Sequence, residues 1–196
     1  VVRCQRMFSL VRELLETENG DSFNKLFSRI EKYENITDNM EVEIANYLHK
    51  VSEGRLSSDS KAQIQRMMRQ VTELESIGDS CYNLGRTISR QRMHSKERFT
   101  EEQLSHMHTM MSLVTHALEA MANVVEKAPD HQYADYNVSY NIEHEINNYR
   151  NQLKNQILQD INDGMYGYQT GVYYMDFISE CEKLGDYVVN VVQATK

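Results

Sequence analysis

Two carboxylates one helical turn apart recur in the chain with the same neighbours. The stretch "ELESIGDSCYNLGR" carries Glu75 and Asp79, and "EKLGDYVVNV" repeats the spacing with Glu182 and Asp186. Like charges at this spacing destabilise a helix by roughly 0.2–0.5 kcal/mol. Solvated carboxylates have no physical reason to recur with the same glycine before the aspartate and the same asparagine after it. The repeated pattern therefore favours a role for these carboxylates beyond solvated surface.

A second row of carboxylates precedes the first in the chain. The segment "YENITDNMEVEI" places Glu34, Asp38 and Glu41 on one side of a helix, at about 100° per residue. If this helix packs beside the one that carries Glu75 and Asp79, five carboxylates converge. Such a cluster is costly unless protons or cations neutralise it. An all-oxygen ligand set suits Mg²⁺, Ca²⁺, Mn²⁺ or iron. Taken alone, the residues leave a charged rim facing water equally open.

The elements that position these rows are amphipathic helices. With one proline and eight glycines, the 196 residues contain few helix breakers, and there is no tryptophan. Apolar residues recur at steps of three and four. We expect Gly20 to end the first helix and Asp21 or Ser22 to cap the second, and Thr100 to form a capping box with Gln103. "GVYYMDF" is the one segment that also fits a short strand. The predicted helices cover about 1–18, 22–53, 59–94, 100–127, 131–162 and 170–196.

Two pairs of similar segments predict an internal duplication. "ESIGDSCYNL" matches "EKLGDYVVNV" at an offset of 107 residues, and "EVEIANY" matches "EHEINNY" at an offset of 102. Matched segments in the same order indicate a repeated three-helix unit. We therefore predict an all-α fold built as a tandem pair of antiparallel three-helix bundles, the first over residues 1–95 and the second over 96–196.

The bulk properties exclude several classes of protein. A net charge of −8 argues against a nucleic-acid partner, and no stretch approaches the roughly 18 apolar residues of a membrane span. Three cysteines without framework spacing suit a reducing compartment. The long amphipathic helices, eleven methionines and twelve tyrosines suggest exposed apolar surface, so a homodimer is predicted.

Together these motif helices resemble those of the PhoU family, whose mark is a duplicated three-helix bundle with E(D)-x-x-x-D motifs. The stretch from "NNYRNQLKNQ" to "LGDYVVNV" is most similar to the PhoU-like domain that follows the membrane part of bacterial sodium/phosphate cotransporters. The resemblance implies a regulatory, non-enzymatic domain in phosphate transport that binds metal clusters, with iron or zinc as family metals. It implies a cytoplasmic location, tethered to the inner membrane by an upstream transporter region of the same chain, or a transporter complex as partner. The implied metal ligands are Glu34, Asp38, Glu41, Glu75, Asp79, Glu182 and Asp186.

The second set of ligands is expected to be weaker than the first. At the offset of 102, Tyr136 stands where Glu34 would be and Tyr140 where Asp38 would be, so that only Glu143 persists as a carboxylate. We expect the second site to be weakened or lost, or to use different residues.

Other functions find less support in the residues. A ferritin-like di-metal oxidase needs Glu-x-x-His motifs, and the chain has none. Nucleophile arrangements, phosphate-binding glycine loops and zinc cysteine pairs are also absent from the sequence. The alternative that stays open is a purely structural helical adaptor whose carboxylates are solvated.

We expect the coding sequence upstream of Val1 to encode apolar spans, because the chain starts without Met and its last third resembles a transporter domain. Sequencing that region decides the question. A start codon close to Val1 with no apolar spans before it would contradict the fused arrangement.

Overall fold

Six α-helices make up the computed structural model, which describes residues 1–127 and 133–196. No strand occurs in those residues, so the predicted all-α class is confirmed. Within the same ranges, no helix combines the length and apolar character that a bilayer crossing demands. The helices are α1 (Val2–Glu16), α2 (Gly20–Ser52), α3 (Ser58–His94), α4 (Glu101–Glu126), α5 (Tyr133–Asn162) and α6 (Tyr168–Gln193).

Side-chain caps start three of the helices. Ser57 caps α3, and Thr100 and Gln103 form the predicted capping box of α4. The α1–α2 turn differs from the prediction: Gly20 is the first residue of α2, and Asn19 caps it by accepting a hydrogen bond from the Ser22 amide at 3.1 Å. Asparagine ranks among the best N-capping residues, which explains why the helix begins before Asp21 and Ser22.

The remaining helix ends lie close to their predicted positions. α4 ends at Glu126, and the expected end at "KAPD" falls mostly outside the described residues. α5 ends at Asn162, and Gly164 in the next turn has a φ of +70°, a conformation that favours glycine. "GVYYMDF" is helical and belongs to α6. Its buried members, Gly171, Tyr174 and Phe177, follow one another at steps of three residues, which is the helical rather than the strand period.

Packing divides the helices into two groups that share one core. α1, α2 and α3 pack on one another, as do α4, α5 and α6, while α3 packs along α6 and α1 along α4. Because the interior is continuous across α3 and α6, the predicted division at residues 95 and 96 stays a prediction. The largest fully buried side chains are Tyr174, Phe8, Phe177, Met7, Leu10, Leu14, Ile30, Ile77, Leu84, Met107, Met110 and Met111.

A reciprocal pair of hydrogen bonds joins α3 to α6. The Asn83 side chain donates to Glu180 Oε1 at 3.4 Å, and the Asn190 side chain donates to Glu73 Oε2 at 3.0 Å. Both asparagines and both glutamates are related by the offset of 107, so the two bonds are equivalent in the two halves. Such a two-fold arrangement is the geometry of a symmetric interface. The repeated asparagine thus serves the contact between the halves rather than the carboxylate row.

One glycine sets the register of each helical hairpin: Gly78 for α2 and α3, and Gly185 for α5 and α6. A Cβ added at Gly78 on α3 would lie 2.9 Å from Thr37 Oγ1 on α2, and one added at Gly185 on α6 would lie 3.1 Å from Ile146 Cδ1 on α5. The glycines therefore permit close helix approach. They are related by 107 residues, whereas Thr37 and Ile146 are related by 109. The sequence match between α2 and α5 at an offset of 102 is thus wrong as a structural register.

The error of seven residues has a geometric cause. Seven residues make almost two helical turns, so the apolar stripe shifts by only about 20° and the two registers look alike in sequence. Tyr136 and Tyr140 of α5 contact the residues that follow α6. The Tyr136 hydroxyl is 3.0 Å from Thr195 Oγ1, and Lys196 Nζ donates to the Tyr140 hydroxyl at 3.3 Å. The expectation that these tyrosines take the positions of Glu34 and Asp38 is therefore wrong.

We expect Gly78→Ala and Gly85→Ala to change the free energy of unfolding in opposite directions, although both glycines lie within α3. At Gly85 the nearest atoms to an added Cβ are ordinary contacts at 3.5 Å. Gly85→Ala should therefore stabilise by about 0.5–1 kcal/mol through helix propensity. At Gly78 the added methyl meets Thr37 Oγ1, which is held by donation to the Glu34 carbonyl at 2.7 Å. The free energy of unfolding of Gly78→Ala should therefore be lower than that of Gly85→Ala by at least about 1 kcal/mol.

Urea unfolding of both variants measures this difference, and Thr37→Ala in the Gly78→Ala background should recover part of the loss. Equal stabilisation by the two alanines would contradict the close approach of α2 and α3.

Candidate metal site between α2 and α3

Three carboxylates meet where α2 and α3 approach most closely. The contact between Gly78 and Thr37 brings Glu34 and Asp38 of α2 against Asp79 of α3. One oxygen from each carboxylate lies within 4.8 Å of the other two. This spacing lets one cation contact all three groups, and two separate helices supply them.

Asp38 carries an unsatisfied oxygen in this cluster. Its Oδ1 atom is buried and has no hydrogen-bond partner. Glu34 is half-buried and Asp79 is exposed, so the cluster is open to solvent on one side. Buried polar atoms in proteins are almost always bonded, and an exception requires an explanation. A bound cation would supply the missing partner.

Glu75 and Glu41 extend the row of carboxylates along the same helix pair. The Ser76 hydroxyl donates to Glu75 Oε2 at 3.4 Å, and the Thr72 hydroxyl donates to Glu41 Oε1 at 3.3 Å. Burial, followed by the negative charges of neighbouring carboxylates, raises the pKa of Glu75 to about 7. The five carboxylates of the first two rows thus share one seam, as the sequence predicted. We call this set the first cluster: Glu34, Asp38, Glu41, Glu75 and Asp79.

The charges of the first cluster act on one another. Burial raises the pKa of Glu34, and the Asp38 and Asp79 carboxylates raise it further. Burial and then Asp38 likewise raise the pKa of Asp79, while a hydrogen bond with Glu75 and the Lys183 ammonium on α6 lower it. No described ion pair includes a carboxylate of the first cluster. Over residues 1–127 and 133–196 the cluster therefore has no directly paired cationic side chain.

A second cluster lies between α5 and α6 at the equivalent place. Burial, Glu182 and Glu143 raise the pKa of Asp186, whereas the Arg150 guanidinium lowers it. The Asn147 side chain donates a hydrogen bond to Glu143 Oε1. The sequence analysis placed Glu182 and Asp186 at this site, and the structure brings them beside Glu143.

The sequence analysis missed Asn147 and Arg150, because it aligned α5 at the wrong offset. At the offset of 109, Glu143 corresponds to Glu34, Asn147 to Asp38 and Arg150 to Glu41. The signal that could have found them is the pair of glycines, since counting back from each glycine to its facing helix gives the true register. We call this set the second cluster: Glu143, Asn147, Arg150, Glu182 and Asp186.

Comparisons with known proteins agree with this architecture. Residues 2–88 match the sequence profile of the family described as the PhoU domain. The phosphate transport system regulatory protein PhoU from Streptococcus pneumoniae is 19% identical and superposes with a TM-score of 0.73 over 97% of this chain and 90% of that one. PhoU from Pseudomonas aeruginosa is 14% identical, with a TM-score of 0.72 over 99% of this chain and 92% of that one. No curated protein sequence matches the chain.

The fold defines a paired helical-bundle protein with rows of carboxylates between α2 and α3 and between α5 and α6. The resemblance to the PhoU family predicted from the motifs is confirmed: the first half matches the PhoU domain, and the described chain has the fold of solved PhoU proteins.

The residues of the first cluster fit a metal ion. Three carboxylates with oxygens within 4.8 Å of one another, one of them carrying a buried and unsatisfied oxygen, are the chemistry that hard cations select. The second cluster fits a metal less well, because an amide and a guanidinium replace two of its carboxylates.

We expect the metal-free protein to lose stability as the pH rises from about 5 to about 8, and Glu75→Gln to lose less. The folded pKa of Glu75, about 7, lies above its unfolded value of 4.5, so the folded chain binds the extra proton. The stability linked to Glu75 is therefore complete below the unfolded pKa and lost as the pH passes through the folded pKa. Glutamine does not ionise and removes this contribution.

Urea midpoints measured in chelator at several pH values test the difference. Glu43→Gln, which removes an exposed carboxylate of α2, is the matched control and should retain the wild-type slope. The same slope in wild type and Glu75→Gln would show that Glu75 does not carry the effect.

Proposed function

We propose that this chain is a metal-binding regulatory domain that acts in the control of phosphate transport. The observation that carries the proposal is the meeting of three carboxylates from two helices around a buried, unpartnered oxygen of Asp38. The PhoU-domain match and the fold shared with a phosphate transport system regulatory protein support the phosphate context.

In this proposal Glu34, Asp38 and Asp79 hold the cation, and Glu75 and Glu41 adjoin it. The charge of the ion would offset the repulsion among the carboxylates and tie α2 to α3. Opposite charge removes the cost of clustering carboxylates away from bulk water. The residues in turn restrict the ion to oxygen donors and leave one side open to solvent.

In this proposal, metal binding at the first cluster affects the other half of the chain through α3. This helix carries Glu75 and Asp79 as well as Glu73 and Asn83, which bond to α6. A change in how α3 packs on α2 would therefore also act on the contact with α6. Such a coupling is what a regulatory domain requires.

The identity of the metal stays open between two groups. The all-oxygen donors favour Mg²⁺, Ca²⁺, Mn²⁺ or iron, whereas the family resemblance points to iron or zinc. The partner and the location stay predictions from the sequence: a transporter region or complex, a cytoplasmic domain at the inner membrane, and a homodimer. Exposed apolar side chains on the outer parts of α2 and α3, among them Val42, Tyr47 and Met67, support a protein contact there.

The alternative function is a structural adaptor with solvated carboxylates and no metal. It keeps the fold and the helix contacts but leaves the oxygen of Asp38 without a partner. The two functions differ in one measurable property, which is the response of stability to added metal.

We expect metal to raise the melting temperature of the chelator-treated protein, and Glu34→Gln/Asp38→Asn to abolish the rise. Binding to the folded state adds about 2.7 kcal/mol at a hundredfold excess over the dissociation constant. Without metal the double variant should melt no lower than wild type, because it relieves the repulsion in the first cluster. Melting curves with Mg²⁺, Ca²⁺, Mn²⁺, Fe²⁺ and Zn²⁺ in turn measure the response.

Glu43→Gln/Glu119→Gln is the matched control, since it removes two exposed carboxylates outside the clusters and should keep the wild-type response. No metal effect in the wild type would favour the adaptor. A retained effect in Glu34→Gln/Asp38→Asn would place the metal elsewhere.

A further inference from the structure

We infer that the Arg150 guanidinium takes the place of the metal ion in the second cluster, so that the chain holds metal only at the first. This inference rests on the proposed function, because it takes the first cluster as the metal site. It concerns the equivalent position in the other half of the chain, where the donor set does not fit a metal.

The position of Arg150 follows from helix contacts rather than from sequence similarity. Gly78 faces Thr37 and Gly185 faces Ile146, which relates α2 to α5 by 109 residues. Burial agrees with this register. Leu48 and its counterpart Ile157 are both buried. At the same offset Arg150 falls at the position of Glu41, which adjoins Glu75 in the first cluster.

The two clusters differ in charge balance. The first holds five carboxylates, and its nearest basic group, Lys183 of α6, acts on Asp79 from outside the set. The second holds three carboxylates, the amide of Asn147 and the guanidinium of Arg150. A guanidinium remains charged at every pH a protein tolerates. The second cluster therefore contains a permanent cation of its own, and an added metal ion would meet less negative charge and a like charge.

The hydrogen bond of Asn147 and the charge of Arg150 both oppose a metal ion. Asn147 donates to Glu143, which engages a carboxylate oxygen that a metal would need. Arg150 is half-buried, its Nη1 donates to Asn151 Oδ1 at 2.8 Å, and its buried Nε has no hydrogen-bond partner. The guanidinium is near enough to act electrostatically on Asp186. It thus supplies positive charge to the cluster while retaining a free donor.

Restoring the two carboxylates should create a second metal centre. In Arg150→Glu/Asn147→Asp the second cluster would carry the same five residue types as the first, position for position. We expect this variant of the full chain to bind twice as much Mn²⁺ per chain as the wild type. Equilibrium dialysis followed by elemental analysis counts the ions, and electron paramagnetic resonance of Mn²⁺ checks that they are protein-bound.

The first-site variant Glu34→Gln/Asp38→Asn separates this inference from the proposed function. It should bind no Mn²⁺ alone, and should regain the wild-type amount when combined with Arg150→Glu/Asn147→Asp. If the wild type binds Mn²⁺ at two centres and the first-site variant retains half, the inference is wrong and the proposed function stands. If the wild type binds none but Arg150→Glu/Asn147→Asp binds one equivalent, the inference stands and the proposed function fails for Mn²⁺.

A milder change keeps the inference testable should the double variant fail to fold. Arg150→Gln removes the charge while keeping a polar side chain of similar reach. Because three carboxylates then lack their counter-charge, the metal-free variant should melt lower than wild type at low salt. Added salt should reduce the difference in melting temperature between the variant and the wild type. Arg150→Lys, which keeps the charge, is the matched control and should lose less. No loss in Arg150→Gln relative to Arg150→Lys would overturn the role of Arg150.

Discussion

The close approach of α2 and α3 at Gly78 and Thr37 is the constraint on which the candidate site depends. A side chain at position 78 would separate the helices at the level where Glu34, Asp38 and Asp79 meet. Glycine weakens a helix interior by about 1 kcal/mol relative to alanine, so its presence here has a cost that only the contact explains. At the same contact, burial and then the charges of neighbouring carboxylates raise the pKa of Glu75, Glu34 and Asp79. The glycine and the carboxylates are two parts of one arrangement.

The second constraint is the seam between α3 and α6. Reciprocal hydrogen bonds from Asn83 and Asn190 join the halves with two-fold equivalence, and the halves share a continuous apolar interior. α3 therefore takes part in both contacts: one face supplies carboxylates to the first cluster and another packs on α6. The first cluster and the contact between the halves thus share one helix.

The two halves of the chain differ in the positive charge that lies near their clustered carboxylates. Carboxylates held together between helices need positive charge nearby. In the first cluster no basic side chain is directly paired within the described residues, and the Lys183 ammonium of α6 acts on Asp79 from outside the set. In the second, Arg150 belongs to the chain and its charge is permanent. Under the proposed function, this difference would make the first cluster responsive to metal and the second independent of it.

The sequence by itself determined the class of fold, the approximate helix bounds and the carboxylates of the first cluster. These follow from local rules: apolar spacing, capping residues and the four-residue step that places Glu34 and Asp38, or Glu75 and Asp79, on one helix face. Only the tertiary structure decided which residue of α5 faces Asp186. Two helices can slide by seven residues with almost no change in their apolar pattern, so the similarity of "EVEIANY" to "EHEINNY" pointed to Tyr136 and Tyr140. The contact of Gly185 with Ile146 removes that ambiguity, because only one register lets the two backbones approach, and it places Arg150 at the second cluster.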